Sequence, residues 1–167
     1  GYFPGWEARL DQPLDEAGAR LWSSLSGQEI TAEEYLYWAA YSADYLVSYF
    51  FGSADALDWS DGTVDEFVRA NALDAVSLYR QAQAYAGELG IALTDEERAA
   101  MDADIQETVD TLGSEEQYAR RLQQSAISPE GFRAMLERFY LYSALLDRVY
   151  GPEGSQPVTE ADLEDYI

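Results

Sequence analysis

The stretch Leu89–Tyr150, LGIALTDEERAAMDADIQETVDTLGSEEQYARRLQQSAISPEGFRAMLERFYLYSALLDRVY, decides the fold. A cap hydroxyl followed three residues later by Glu or Gln satisfies two backbone amides that a helix start leaves without partners. That pair occurs at Thr94/Glu97 and Ser114/Gln117, and Ser128 followed by Pro129 marks a third start. Gly90, Gly113 and Gly151 each follow an apolar-periodic run, where a left-handed glycine ends a helix. The spacing predicts helices over Asp95–Leu112, Glu115–Ser125 and Pro129–Tyr150, the last crowded with aromatic and aliphatic side chains.

Outward from this stretch the same signals continue. Thr31/Glu34 and Thr63/Glu66 repeat the capping pair, Gly52 is a further stop, and Thr159 precedes an acidic first turn. They predict helices over Ala32–Phe51, Val64–Leu89 and from Glu160 onward, with Gly27–Ile30 turning into the first of them through an extended residue. No convincing strand pair lies between these runs. The expected fold class is all-α: a bundle of about five to six helices over residues 26–150. An irregular or short helical arm at residues 1–25 precedes it, and residues 151–167 form a Gly/Pro-rich linker and a short helix.

Composition then limits the chemistry. With 167 residues, 47% of them apolar, the chain can bury one core, and 4 Trp, 13 Tyr and 6 Phe are too many for a disordered acidic tail despite a net charge of -22. All ten cations are arginine; lysine, histidine and cysteine are absent. A Ser-His or Cys-His nucleophile lacks its base, a Schiff base lacks its lysine, and zinc or helical di-iron sites lack their ligands. Nucleic acid is a poor partner for so negative a surface, whereas a cationic or unfolded basic partner is attracted. The missing cysteines fit a cytosolic protein and an exported one equally. The apolar run Leu46–Gly52 is far shorter than the roughly 20 residues of a membrane-spanning helix.

The carboxylates and aromatics each carry two readings. Asp58-Trp59-Ser60-Asp61-Gly62-Thr63 has the look of a calcium loop, but an EF-hand has glycine at the sixth place and glutamate at the twelfth, where this chain has Thr63 and Arg69. Asp102, Asp104 and Glu107 are more simply a charged helix face than an acid/base pair. The Ala32–Phe51 helix is apolar nearly all round, and Pro129–Tyr150 carries Phe132, Leu136, Phe139, Leu146 and Tyr150 on one stripe. Either both helices are central core, or some of their tyrosines line a surface for unfolded polypeptide. A tyrosine ring is rigid and apolar, with a hydroxyl that tolerates water when the surface is empty.

Four short segments, in order, carry a resemblance. Ser26 to Tyr35 (SGQEITAEEY) resembles N-G-x-x-I-T-x-x-E-(F/Y), with serine for asparagine. Ala86 and Leu89 to Glu97 (LGIALTDEE) resemble A-x-x-x-G-I-x-(V/L)-(T/S)-(D/E)-x-E. Ala126 to Phe132 (AISPEGF) resembles G-(I/L)-(S/T)-x-E-x-(F/W/Y), with Ala126 for the usual glycine, and Val158 to Tyr166 (VTEADLEDY) is similar to V-(T/S)-x-x-(E/D)-(V/I/L)-x-x-(Y/F). These are the segments of the non-catalytic helical region of extracytoplasmic parvulin-type foldases, the SurA- and PrsA-like chaperones. Residues 1 to 25 fall outside the resemblance, and the lysine-free acidic composition departs from the lysine-rich lipoprotein members.

The resemblance implies a SurA N-terminal-like bundle that binds unfolded exported polypeptides, with no cofactor or metal. Prolyl isomerisation would belong to a histidine-containing parvulin domain that normally follows such a segment, so no catalytic residue is expected in this chain. It also implies an extracytoplasmic setting, as a secreted protein or a cell-surface lipoprotein anchored by elements outside this sequence, and leaves a homodimer open. Client contacts are expected from Tyr37, Trp38, Tyr41 and Tyr45 on the first helix and from Tyr140 and Tyr142 on the last. The alternative is a helical adaptor that binds one folded partner and buries these rings in core or interface.

Overall fold

A computed structural model describes residues 30–53, 56–58, 60–159 and 162, and within them the chain is all-helical, with no strand. We number the helices α1 (Ala32–Leu46), α2 (Gly62–Glu88), α3 (Asp95–Leu112), α4 (Glu115–Gln123) and α5 (Pro129–Tyr150). The expected arm over residues 1–25, the turn preceding Ile30 and the final helix lie outside the described residues, except that Asp162 closes a reciprocal cap with Thr159.

The hydroxyl caps form as expected for α1, α3, α4 and α5, whose Thr31, Thr94, Ser114 and Ser128 oxygens accept from the amides of Glu34, Glu97, Gln117 and Gly131. Three local expectations are corrected. Asp61, not Thr63, caps α2: its carboxylate accepts from the Thr63 amide at 2.9 Å, so the helix begins at Gly62. The first helix does not run on in α geometry to Phe51; Val47–Phe51 form a π-helical turn, closed by the Gly52 amide donating to the Val47 carbonyl at 2.8 Å. Gly52, Gly90 and Gly113 are left-handed, but Gly151 is extended at φ -66, ψ 169 because Pro152 bars the residue before it from helical geometry. Residues 151–158, expected as a linker, fold back on the end of α5. There the amides of Ser155, Gln156 and Val158 donate to the carbonyls of Arg148, Val149 and Tyr150.

Three buried clusters hold the bundle. Ala39, Ala43 and Leu46 of α1 meet Val64, Val68 and Ala72 of α2, with Leu57 of the connecting loop folded over them. Alanines four apart on α1 let the two backbones approach closely, with Tyr35 and Trp38 of the same helix packed against the cluster. The other end of α2 gives Ala82 and Ala86 to Leu145 and Val149 of α5. Val109 of α3, Tyr118 and Leu122 of α4, Ile127 and Met135 form the third cluster. Thus α2, 27 residues long, spans two clusters, and α5 joins the second of these to the third.

Candidate functional site: an aromatic face joined to a buried ionic clasp

Because alanine lines the core side of α1, its aromatic residues divide by direction. Trp38 turns inward, stacked on Tyr79 of α2 with ring centroids 5.2 Å apart and planes at 13°. Tyr37 lies edge-on to Trp38 and reaches Phe132 of α5 at 5.7 Å, and Phe132 in turn meets Tyr118. Tyr142 packs edge-on against Tyr79 at 5.4 Å, with Phe139 on another side of the same ring. Tyr37, Trp38 and Tyr142 are therefore half-buried members of one ladder crossing α1, α2 and α5. Burial pushes the phenols of Tyr37 and Tyr79 upward from their ordinary pKa.

The remaining rings face outward. Tyr41 is 58% exposed, touching Trp38 edge-on at 5.4 Å; Tyr45 is 43% exposed and lies 4.7 Å from Tyr49 and 6.4 Å from Phe67 of α2. Tyr49 and Phe50, on the π turn, are 72% and 71% exposed, and Phe51 is 42% exposed. Tyr41, Tyr45 and Tyr49 recur every four residues, so they share one face, and the wider π turn carries Phe50 into contact with Tyr45. Of the six rings expected to meet clients, Tyr41 and Tyr45 lie on this face. Tyr140 lies apart, on α5, where it donates to Asp104 of α3; that bond raises its phenol pKa. Sequence reading named neither Tyr49, Phe50 nor Phe51 as contacts; the i, i+4 tyrosines and the left-handed Gly52 that ends the turn were the signals.

Beneath the ladder lies a charged feature that the capping pattern concealed. Glu34 sits at the third position of α1, where the capping pair would send its carboxylate back to Thr31. It is instead buried, at 3% exposure, and accepts from Arg80 of α2 at 3.1 and 2.7 Å, with Arg138 of α5 at 3.2 Å. Two guanidinium groups on one buried carboxylate outcompete a neutral amide, because charge-assisted bonds are about twice as strong. Burial pulls Arg138 below its ordinary pKa, opposed by the Glu34 carboxylate. Next to it Glu33 accepts from the amide and hydroxyl of Ser128, tying the start of α1 to the start of α5.

The grooves are modest. One of about 510 Å³ opens along Asp104, Glu107, Thr108, Thr111, Leu112 and Arg121. Of its rim carboxylates Asp104 is held by Tyr140, while Asp102, on the same helix, is held by Arg133, a cation that sequence spacing did not bring near. A second, of about 260 Å³, lies between α2, α3 and α5 around Gln83, Ile91 and Leu141. Among the described residues no group of three or more Asp or Glu side chains converges as a metal ion would require.

The chain matches no protein-family model, no curated protein and no solved structure. The residues themselves therefore carry the functional reading.

Proposed function

We propose that this chain holds unfolded or partly folded exported polypeptides, as the non-catalytic chaperone domain of an extracytoplasmic parvulin-type foldase. The observation that carries the reading is the exposed face of Tyr41, Tyr45, Tyr49, Phe50 and Phe51. A contiguous exposed apolar patch of this kind marks an interaction site. Two backbone features support the resemblance. Gly90 is left-handed at φ 68 where the resembled segment has its glycine, and Ala126 holds the left-handed region at φ 59 where that family's glycine is replaced. An alanine in that conformation is disfavoured by roughly 1–2 kcal/mol, so the local fold demands the glycine geometry even without the glycine.

Holding is by contact rather than chemistry: Tyr and Phe rings offer broad rigid surfaces, and the tyrosine hydroxyls keep the empty face wettable. The chain has no histidine to act in a parvulin-like centre, and no isomerase step is assigned to it. The test is light scattering of a chemically unfolded model protein diluted into several-fold excess of this chain, with a proline-peptide isomerisation assay beside it. Suppressed aggregation, lost in the Tyr49→Ser/Phe50→Ser variant, and an unaccelerated peptide are expected. Indifference to the unfolded protein together with capture of one folded partner would sink the proposal in favour of an adaptor.

A further inference from the structure

A second apolar face lies on the far half of α2. Leu78, Tyr85 and Leu89 follow one another at seven and then four residues, and Phe139, Leu146 and Tyr150 of α5 repeat that spacing, so each set shares one side of its helix. All six side chains are 39–47% exposed. The two helices run in the same direction here: Tyr79 meets Tyr142, and further along both, Ala82 and Ala86 meet Leu145 and Val149. One flank of that seam is the groove bordered by Gln83, Gly87, Glu137 and Leu141, so the six exposed residues line the other flank as a stripe two helices wide. The first face reaches α2 at Phe67, which lies against Tyr45. Phe67 and Tyr85 are 18 residues apart, five full turns, so both faces look the same way from α2. Exposed Asn71 and Asp74 separate them. From Phe67 to Leu78 the gap is about 16 Å at the helical rise of about 1.5 Å per residue.

We infer that the two faces act together: one unfolded polypeptide seats two apolar segments on them at once, joined by a spacer that crosses Asn71 and Asp74. The inference rests on the client-holding reading and names the class of segment held. A flexible spacer of about eight residues has an average reach of about 16 Å, which matches the gap. Area favours a shared occupant. Side chains exposed to these degrees offer roughly 500 Å² on each face. That falls short of the roughly 800 Å² per partner in a stable protein–protein contact, and the two faces together exceed it. A second copy of the chain fits poorly, because a rigid surface pressed on both faces strips water from Asn71 and Asp74, whereas an extended strand leaves them wet. Each copy also carries a net charge of -22, which opposes self-association. Once one segment is seated, the other binds at an effective concentration set by the spacer, so affinity rises without any new contact.

The experiment uses the full chain and fluorescence anisotropy of dye-labelled, unstructured peptides. One peptide carries a single apolar cluster; the others carry two identical clusters joined by Gly/Ser spacers of about two, eight or twenty-four residues, spanning reaches below, at and beyond the gap. The middle spacer is expected to bind at least tenfold more tightly than the single cluster or the shortest spacer, and about fivefold more tightly than the longest. Tyr85→Ser/Leu146→Ser and Tyr45→Ser/Tyr49→Ser should each return the middle peptide to single-cluster affinity, while changing single-cluster binding by only about twofold, since one face remains. Both variants replace exposed side chains, and the unaltered chain carries the spacer comparison. Binding of every peptide without dependence on spacer overturns the inference and leaves the client-holding reading standing. A spacer preference that survives both double substitutions places the second segment elsewhere and overturns it too. No binding of any peptide removes the client-holding reading itself. A dimer by sedimentation that Tyr85→Ser/Leu146→Ser dissolves would assign the second face to another copy of the chain and overturn the inference.

Discussion

Replacing Glu34 by alanine should be among the most damaging single substitutions in the bundle. Its carboxylate accepts bonds from Arg80 at 3.1 and 2.7 Å and pairs with Arg138 at 3.2 Å, while the two arginine side chains are only 14% and 16% exposed. Without the carboxylate, two guanidinium groups remain in a desolvated space facing each other. Removing one partner from a buried ionic set costs about 3–5 kcal/mol, much of it the penalty of stranding the other charges. Domains of this size are stable by about 5–15 kcal/mol, so the loss takes a large share of the total. Urea unfolding followed by far-ultraviolet circular dichroism measures it directly, because the fold is helical. Glu34→Gln, which keeps the shape and one acceptor oxygen, should lose less. The triple substitution Glu34→Leu/Arg80→Met/Arg138→Met removes every charge together and should return to within about 1–2 kcal/mol of the parent. A Glu34→Ala loss below 1 kcal/mol, or a triple variant no better than the single, would refute the clasp.

Ala126→Gly should raise stability by about 0.5–1 kcal/mol in the same unfolding measurement, since glycine relieves the left-handed strain at φ 59 but gains freedom in the unfolded chain. Tyr118→Phe should be neutral or stabilising by about 1 kcal/mol, because the buried Tyr118 hydroxyl has no hydrogen-bond partner; a clear loss would show that the hydroxyl is satisfied. Glu97 completes the α3 capping box and binds Arg148, and the Thr94 amide, with Arg148 assisting, holds its carboxyl below the ordinary glutamate pKa. A depressed carboxyl contributes fully above its unfolded value and loses that contribution as pH falls through the folded one. Glu97→Gln should therefore cost about 1 kcal/mol at pH 7, the modest value expected of a side chain still a third exposed, and the difference should vanish in acid. Finally, a chain of net charge -22 repels itself, so its urea midpoint should rise with added NaCl, whereas a fold governed by its surface ion pairs would show a fall.

The resolved caps and stops show how far local chemistry reaches. The bounds of α3 and α5 agree with their hydroxyl and glycine signals residue for residue, since a cap acts over three or four neighbours and needs no tertiary partner. The same rule misplaced the start of α2, where Asp61 competes with Thr63 two residues later, and missed the π turn, which a repeat of 3.6 residues does not distinguish from continued helix.

The sequence by itself determined an all-α bundle, its helix order and a surplus of carboxylates over arginines, because periodicity, capping and charge are properties of neighbours or of composition. Only the tertiary structure decided which carboxylate holds which arginine and which rings face water. Glu34 leaves its capping pair for two arginines 46 and 104 residues away, while alanines at the α1–α2 contact turn Tyr41, Tyr45 and Tyr49 outward. Those choices depend on which helix faces pack together, and so on residues far apart in the chain.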